Sequence, residues 1–284
     1  DMAKPVAMSR LLQGDVGSGK TFVAAVAAQI ALANGKQAVI MAPTEILAEQ
    51  HFRTFARLFM PVGAEVRLLT GSVPKAEKAA IKAELESGAA HIIVGTHAVI
   101  QDDVKFNDLA LVVVDEQHRF GVGQRAALRQ KGTNPHMLVM TATPIPRTLS
   151  LTLYGDLDLS ILDEMPPGRQ PIITHWRQPL ERQRTYTFVR SQVQAGRQAF
   201  IICPLVEESD KLEAKSAVEE HARLQRDIFP NLRLGLLHGR MKGKEKEEVM
   251  RAFLNRETDI LVSTSVVEVG IDVPNATVML VEGA

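Results

Sequence analysis

The sequence predicts an α/β protein of two domains, each a mostly parallel sheet with helices on both faces. Three observations carry that prediction. Short β-rich apolar runs alternate with helical patterns along the whole chain, polar residues gather where the runs stop, and a proline-rich break divides the chain past its middle. At 284 residues the chain also exceeds the usual size of one core, so two domains are expected.

In order, Leu11 and Leu12 end an apolar run, and Phe22 to Ala33 is an apolar helix stopped by Asn34-Gly35. Gln37 to Ala42 is a strand, and Glu45 to Phe59 has helical spacing. Val66 to Leu69, His91 to Val94, Leu111 to Val114 and Met137 to Met140 are further strands, with a charged helix from Lys75 to Glu86 between the first two. Three prolines and a glycine in Met165 to Pro171 mark a linker. The expected division is 1–165, linker 166–171, and 172–284. The second domain is read as strand Ile172 to His175, helix Arg182 to Gln194, strand Ala199 to Cys203 and helix Leu212 to Ile228. Strand Leu232 to Leu237, helix Lys244 to Phe253, and strands Asp259 to Val262 and Thr277 to Val281 follow. No repeat of solenoid period recurs.

Composition narrows the function classes. The chain is 45% hydrophobic and 23% charged, as in an ordinary globular protein. Its 33 basic residues balance 33 acidic ones, so any nucleic-acid contact must come from local placement of groups. Cys203 is the only cysteine, which rules out an intrachain disulfide and fits a cytoplasmic location. No apolar stretch reaches membrane-spanning length and Asp1 to Pro5 is no signal peptide. The abrupt start and stop suggest a fragment of a longer chain, and a monomer is the default.

The chemistry is concentrated in Gly14-Asp15-Val16-Gly17-Ser18-Gly19-Lys20-Thr21, a complete G-x-x-x-x-G-K-[ST] pattern in a strand-loop-helix context. Glycines let backbone N–H groups turn inward around a triphosphate, and the helix that follows points its positive end at the same anion. Lys20 would reach the β/γ-phosphates and the Thr21 hydroxyl would hold Mg²⁺. Asp115-Glu116-Gln117-His118 follows four apolar β formers. Alone this reads as a capping or solvated turn; beside a phosphate loop, Asp115 would hold Mg²⁺, directly or through water, and Glu116 would orient and deprotonate the attacking water. His118, His97 and His51 share no i, i+4 register and have no cysteine partner, which argues against zinc. Ser18 lies in a phosphate loop and not in a nucleophile elbow. Thr141 and Thr143, before Pro144, read alone as a plain hydroxyl turn.

Taken together, Gly14 to Thr21, Ala42-Pro43-Thr44-Glu45, Gly95-Thr96-His97, Asp115 to His118, Thr141-Ala142-Thr143-Pro144 and Ser263 to Pro274 resemble the motif set of superfamily-two helicases and translocases. Asp115 to Val122, with Gln117 at the third position of the acid motif, and Thr143 to Thr148 resemble the RecG-type bacterial DNA helicases. The transcription-repair coupling factors are the nearest alternative, and a nucleotide-binding scaffold without turnover is the alternative from another class.

The resemblance implies two tandem RecA-like domains, the second truncated, that bind Mg²⁺-ATP in the cleft between them and act on branched DNA. It implies that Gln117, His118, Thr141 and Thr143 couple domain closure to the nucleotide. Pro43, Thr44, Glu45, Thr70, Gly71, Ser72, Gly95, Thr96 and His97 would track a DNA backbone in the first domain, and His238, Gly239, Arg240 and Thr264 in the second. Gly270 and Asp272 would approach the nucleotide. Backbone amides, hydroxyls and a few cations suit contacts to phosphates, and one tryptophan with two tyrosines leaves few platforms for base stacking. The helicase pattern continues into an arginine-rich motif past Ala284. An arginine finger is worth roughly 10³ to 10⁵ in rate, so weak turnover is expected of these 284 residues alone.

Overall fold

A computed structural model describes residues 1–115, 128–129, 131–143, 157–164, 171–203, 210–264 and 273–282. The chain forms two compact units, Asp1–Gln170 and Pro171–Ala284.

The first unit holds strands β1 (Ser9–Gly14), β2 (Gln37–Met41), β3 (Val66–Leu69), β4 (Ile92–Gly95), β5 (Leu109–Asp115), β6 (His136–Thr141) and β7 (Asp158–Leu162). All pair in parallel, in the order β3-β4-β2-β5-β6-β1-β7. Every residue of β2 and β4 is buried, which is why these strands read as unbroken apolar runs and not as alternating ones.

Helices α1 (Lys20–Ala33), α2 (Glu45–Phe59) and α3 (Lys75–Ser87) connect the strands. Beyond Lys20, the buried side of α1 is made of alanines, which lets it lie close to the sheet. In α2 the Thr44 hydroxyl accepts the Leu47 N–H at 3.4 Å and caps the helix. Leu47, His51, Phe55 and Phe59, four residues apart, form its buried row, and the last two stack at 5.7 Å. Helix α3 buries only Ile81 and Leu85, which accounts for its charged composition.

The second unit holds α4 (Arg182–Gln194), β8 (Gln198–Ile202), α5 (Asp210–Arg223), β9 (Leu234–Leu237), α6 (Gly243–Leu254), β10 (Ile260–Ser263) and β11 (Ala276–Val281). Its parallel strands run in the order β9-β10-β8-β11. That is the order β3-β4-β2-β5 over again. Gln37 opens β2 and Gln198 opens β8, and both side chains are buried staples. Gln37 Nε2 donates to Leu85 O and Ala90 O, while Gln198 Nε2 donates to Phe253 O and Thr258 O.

Three expectations need correction. Residues Ile172 to His175 form no strand: both isoleucines are 78% exposed, and without a neighbouring strand their apolar character buries nothing. Strand β7, unanticipated, adds to the edge of β1 and carries too few buried residues to announce itself. The helix expected over Leu212 to Ile228 changes at Leu224 into a short π-helix, Leu224–Ile228. None of the described helices is long and apolar enough to cross a membrane.

Candidate nucleotide site and strand-end loops

Strand β1 ends at Gly14, and the chain turns back on itself through Gly17 at φ 83° and Gly19 at φ 96°, left-handed conformations that favour glycine. The Ser18 N–H donates to Asp15 O at 3.1 Å and closes the turn. A methyl group on Gly14 would stand 2.6 Å from Ser18 Oγ and 2.9 Å from Leu162 Cβ, so only glycine fits the bend. Helix α1 starts immediately afterwards with no side-chain cap, which leaves its positive end facing the loop. Lys20 is 9% exposed, and its ammonium donates to Gly14 O at 2.7 Å and Asp15 O at 3.0 Å. The loop therefore encloses a cation, and Ser18 Oγ is buried in it with no hydrogen-bond partner. A cradle with its own charge, an orphaned hydroxyl and a helix N-terminus fits a nucleotide triphosphate. Thr21 is half-buried on the first turn of α1.

Asp115 ends β5, one strand from β1: it pairs in register with Met140 on β6, which pairs with Leu12 on β1. Its Oδ2 accepts a hydrogen bond from His51 Nε2 at 2.6 Å, and both residues are buried. His51 has no metal-ligand spacing with the other histidines. The signal that could have found it was a polar residue on the buried row of α2. Among the described residues no group of three or more His, Cys, Asp or Glu gathers as a metal centre. Thr141 Oγ1 accepts the Thr143 N–H at 3.1 Å, the hydroxyl turn anticipated from sequence. Glu116, Gln117, His118, Gly270 and Asp272 lie outside the described residues.

The loops after β2, β3 and β4 come together at one end of the sheet. Glu45 Oε1 accepts the Ser72 N–H at 3.0 Å, and the Thr70 and Ser72 hydroxyls are 3.0 Å apart. Lys78 Nζ donates to Gly71 O at 2.8 Å. The Ala42 N–H donates to Gly95 O at 2.9 Å and the Thr96 N–H to Leu69 O at 3.3 Å. These bonds bring Pro43 to Glu45, Thr70 to Ser72 and Gly95 to His97 into one cluster. Thr96 is 2% exposed, yet its hydroxyl has no partner.

The second unit repeats the arrangement after β9 and β10. The Thr264 N–H donates to Leu237 O at 3.2 Å, and the Thr264 hydroxyl is buried at 1% exposure without a partner. His238 Nδ1 is likewise unpartnered. Burial, and then the nearby Lys246 and Arg240 charges, hold His238 below the usual histidine pKa. Gly239 and Arg240 are exposed beside it.

Residues 3–152 match the family model for the DEAD/DEAH box helicases, more than half of the chain. The chain belongs to the DEAD/DEAH box helicase family. Residues 181–284 match the helicase conserved C-terminal domain. The chain is 56% identical over its whole length to the ATP-dependent DNA helicase RecG of Synechocystis sp., covering 34% of that relative. It is 51% identical to the Streptococcus pneumoniae protein of the same name, again over the whole chain and 42% of the relative. The structure of a RecG bound to a three-way DNA junction superposes with a TM-score of 0.84 at 46% identity, over 98% of this chain and 36% of that one. The chain thus spans about a third to two fifths of the length of these proteins.

Proposed function

We propose that this chain is the motor of an ATP-dependent DNA helicase or translocase of the RecG type, acting on branched DNA in recombination and repair. The observation that carries the reading is the Lys20 ammonium held inside the Gly14 to Thr21 loop, with the Asp115 carboxylate one strand away. The identity to proteins named RecG, and the likeness to one bound to a three-way junction, support DNA as the partner. The reading takes the protein as a cytoplasmic monomer.

The chain's own residues supply most of the chemistry. Lys20 would exchange its two carbonyl acceptors for phosphate oxygens, a charge-assisted contact stronger than the ones it leaves. The loop N–H groups and the α1 terminus would hold the triphosphate in place. Thr21 and Asp115 would hold Mg²⁺, which would supply positive charge against the phosphate oxygens. Glu116 would orient the attacking water and take its proton. Thr96, Thr264 and His238 would offer their unpartnered groups to the DNA backbone, a sequence-independent mode suited to a motor. Gln117, His118, Thr141 and Thr143 would carry the coupling, and Gly270 and Asp272 further nucleotide contacts.

The test is phosphate release from ATP with and without three-way-junction DNA, beside a Lys20→Ala control. Stimulation by DNA that Lys20→Ala abolishes is the expected result. Turnover unaffected by Lys20→Ala would remove the phosphate loop from the mechanism, and nucleotide binding without turnover under any DNA would favour a scaffold.

A further inference from the structure

We propose that His51 is a positioning residue for Asp115, fixing the orientation in which that carboxylate is offered to nucleotide-bound Mg²⁺. The inference rests on the assignment of Asp115 to the metal side of the site. Helix α2 begins four residues after β2 ends. Strands β2 and β5 are neighbours, with Met41 opposite Val114, so the first two turns of α2 pass near the end of β5. Leucine or phenylalanine at position 51 would complete the apolar row of Leu47, Phe55 and Phe59. An imidazole stands there instead, and it reaches across 64 residues of sequence to donate its Nε2–H to Asp115 Oδ2 at 2.6 Å. A carboxylate only accepts, so the proton of this bond belongs to the ring.

His51 is 5% and Asp115 7% exposed, so water does not compete for the bond. As a contribution to stability the arrangement has little to recommend it, because an apolar side chain in that row is commonly as stable as a buried polar pair. As a way to hold a metal-side carboxylate in one orientation it is effective. Partners behind a ligand set its direction, and their loss typically weakens metal binding by roughly 10 to 100-fold.

The test measures binding of a fluorescent ADP analogue without Mg²⁺ and during a Mg²⁺ titration, for the wild type, His51→Leu, His51→Gln and Asp115→Asn. His51→Leu should raise the Mg²⁺ midpoint roughly 10 to 100-fold and leave Mg²⁺-free binding unchanged. His51→Gln, whose amide can still donate, should stay close to the wild type. An unchanged midpoint in His51→Leu, or an equal weakening with and without Mg²⁺, overturns the proposal. If Asp115→Asn shifts the midpoint while His51→Leu does not, the proposal alone falls. If Asp115→Asn does not shift it, or no nucleotide binds, the assignment of the site falls with it. Should His51→Leu fail to fold, the imidazole ¹⁵N resonances of the wild type decide. They should shift with Mg²⁺-ADP relative to ADP alone, and no shift overturns the proposal.

Discussion

Thr96→Val should make the protein more stable and worse at binding DNA. Thr96 is almost fully buried and its hydroxyl has no hydrogen-bond partner, so the folded state carries the desolvation of a polar group without recompense. Leaving such a group unsatisfied costs about 1–3 kcal/mol, and valine replaces it with a methyl group of similar shape. The main-chain bond from Thr96 N–H to Leu69 O is indifferent to the change. Taking the lower end of that range, about 1 kcal/mol, thermal unfolding of the first unit should rise by roughly 2–4 °C. Where the loop parts on binding so that the hydroxyl, buried in the free protein, meets a DNA phosphate, the lost charge-assisted bond is worth about 1.5–3 kcal/mol, or about tenfold or more in affinity. Circular dichroism melts and fluorescence anisotropy with a labelled DNA junction measure the two effects, and Thr96→Ser should retain the binding. A melting temperature that falls in Thr96→Val would mean that the hydroxyl is satisfied after all. One that rises with DNA affinity intact would separate the orphaned group from DNA.

Two other expectations follow from close contacts and burial. In Gly95→Ala the new methyl carbon would lie 2.1 Å from Leu69 O and 2.7 Å from Val99 Cγ1. Because the nearest atom is backbone, the strand ends must part, a loss at or above the upper end of the usual ~1–3 kcal/mol for overpacking; melts should show it, whereas Gly35→Ala meets nothing within 4 Å, has only its left-handed φ of 69° to strain it, and should lose less. The Cys203 thiol is pushed up to about 11, first by burial and then by the Glu220 and Glu282 carboxylates, so alkylation at pH 8 should be slow until the protein unfolds. Since folding raises this pKa from 9.0, the associated stability is complete below pH 9 and declines as pH rises toward 11, which melts across that window would detect.

Regular periodicity made much of the fold legible. Helix α2 and strand β3 begin and end where the apolar pattern says they should, because each buries one row or one run against the sheet. Misreadings came where burial depends on partners distant in sequence. Ile172 and Ile173 are as apolar as β3 but have no strand beside them. The weakly buried β7 exists because β1 offers it an edge. The turn from Gly14 to Thr21 was legible because its glycines answer a local demand, positive φ at Gly17 and Gly19. The His51 bond to Asp115 was not legible, since it joins a helix to a strand end 64 residues away and follows no local rule.

The repeated strand order gives a way to separate what both units do from what one does. Thr96 and Thr264 occupy equivalent places, each following a strand whose neighbour ends in the leucine that accepts its N–H. Both hydroxyls are buried and unpartnered. An unsatisfied group retained twice at one structural position argues for a shared ligand chemistry, and Thr264→Val should reproduce Thr96→Val in both stability and DNA affinity. The acids at the equivalent strand ends behave differently. Val114 lies opposite Met41 and Val281 opposite Ile202, so Asp115 and Glu282 correspond. Glu282 is occupied by Tyr186 Oη at 2.7 Å and Arg182 at 2.5 Å, and an arginine on a carboxylate excludes the metal-side role given to Asp115. Among the described residues the second unit has no counterpart to β1 and its phosphate loop. Glu282→Gln should therefore lower the melting temperature by a few degrees and leave Mg²⁺-nucleotide affinity intact, while Asp115→Asn should weaken Mg²⁺-nucleotide binding. Nucleotide affinity that falls with Glu282→Gln would mean that the two acids share one function and that the division drawn between the units is wrong.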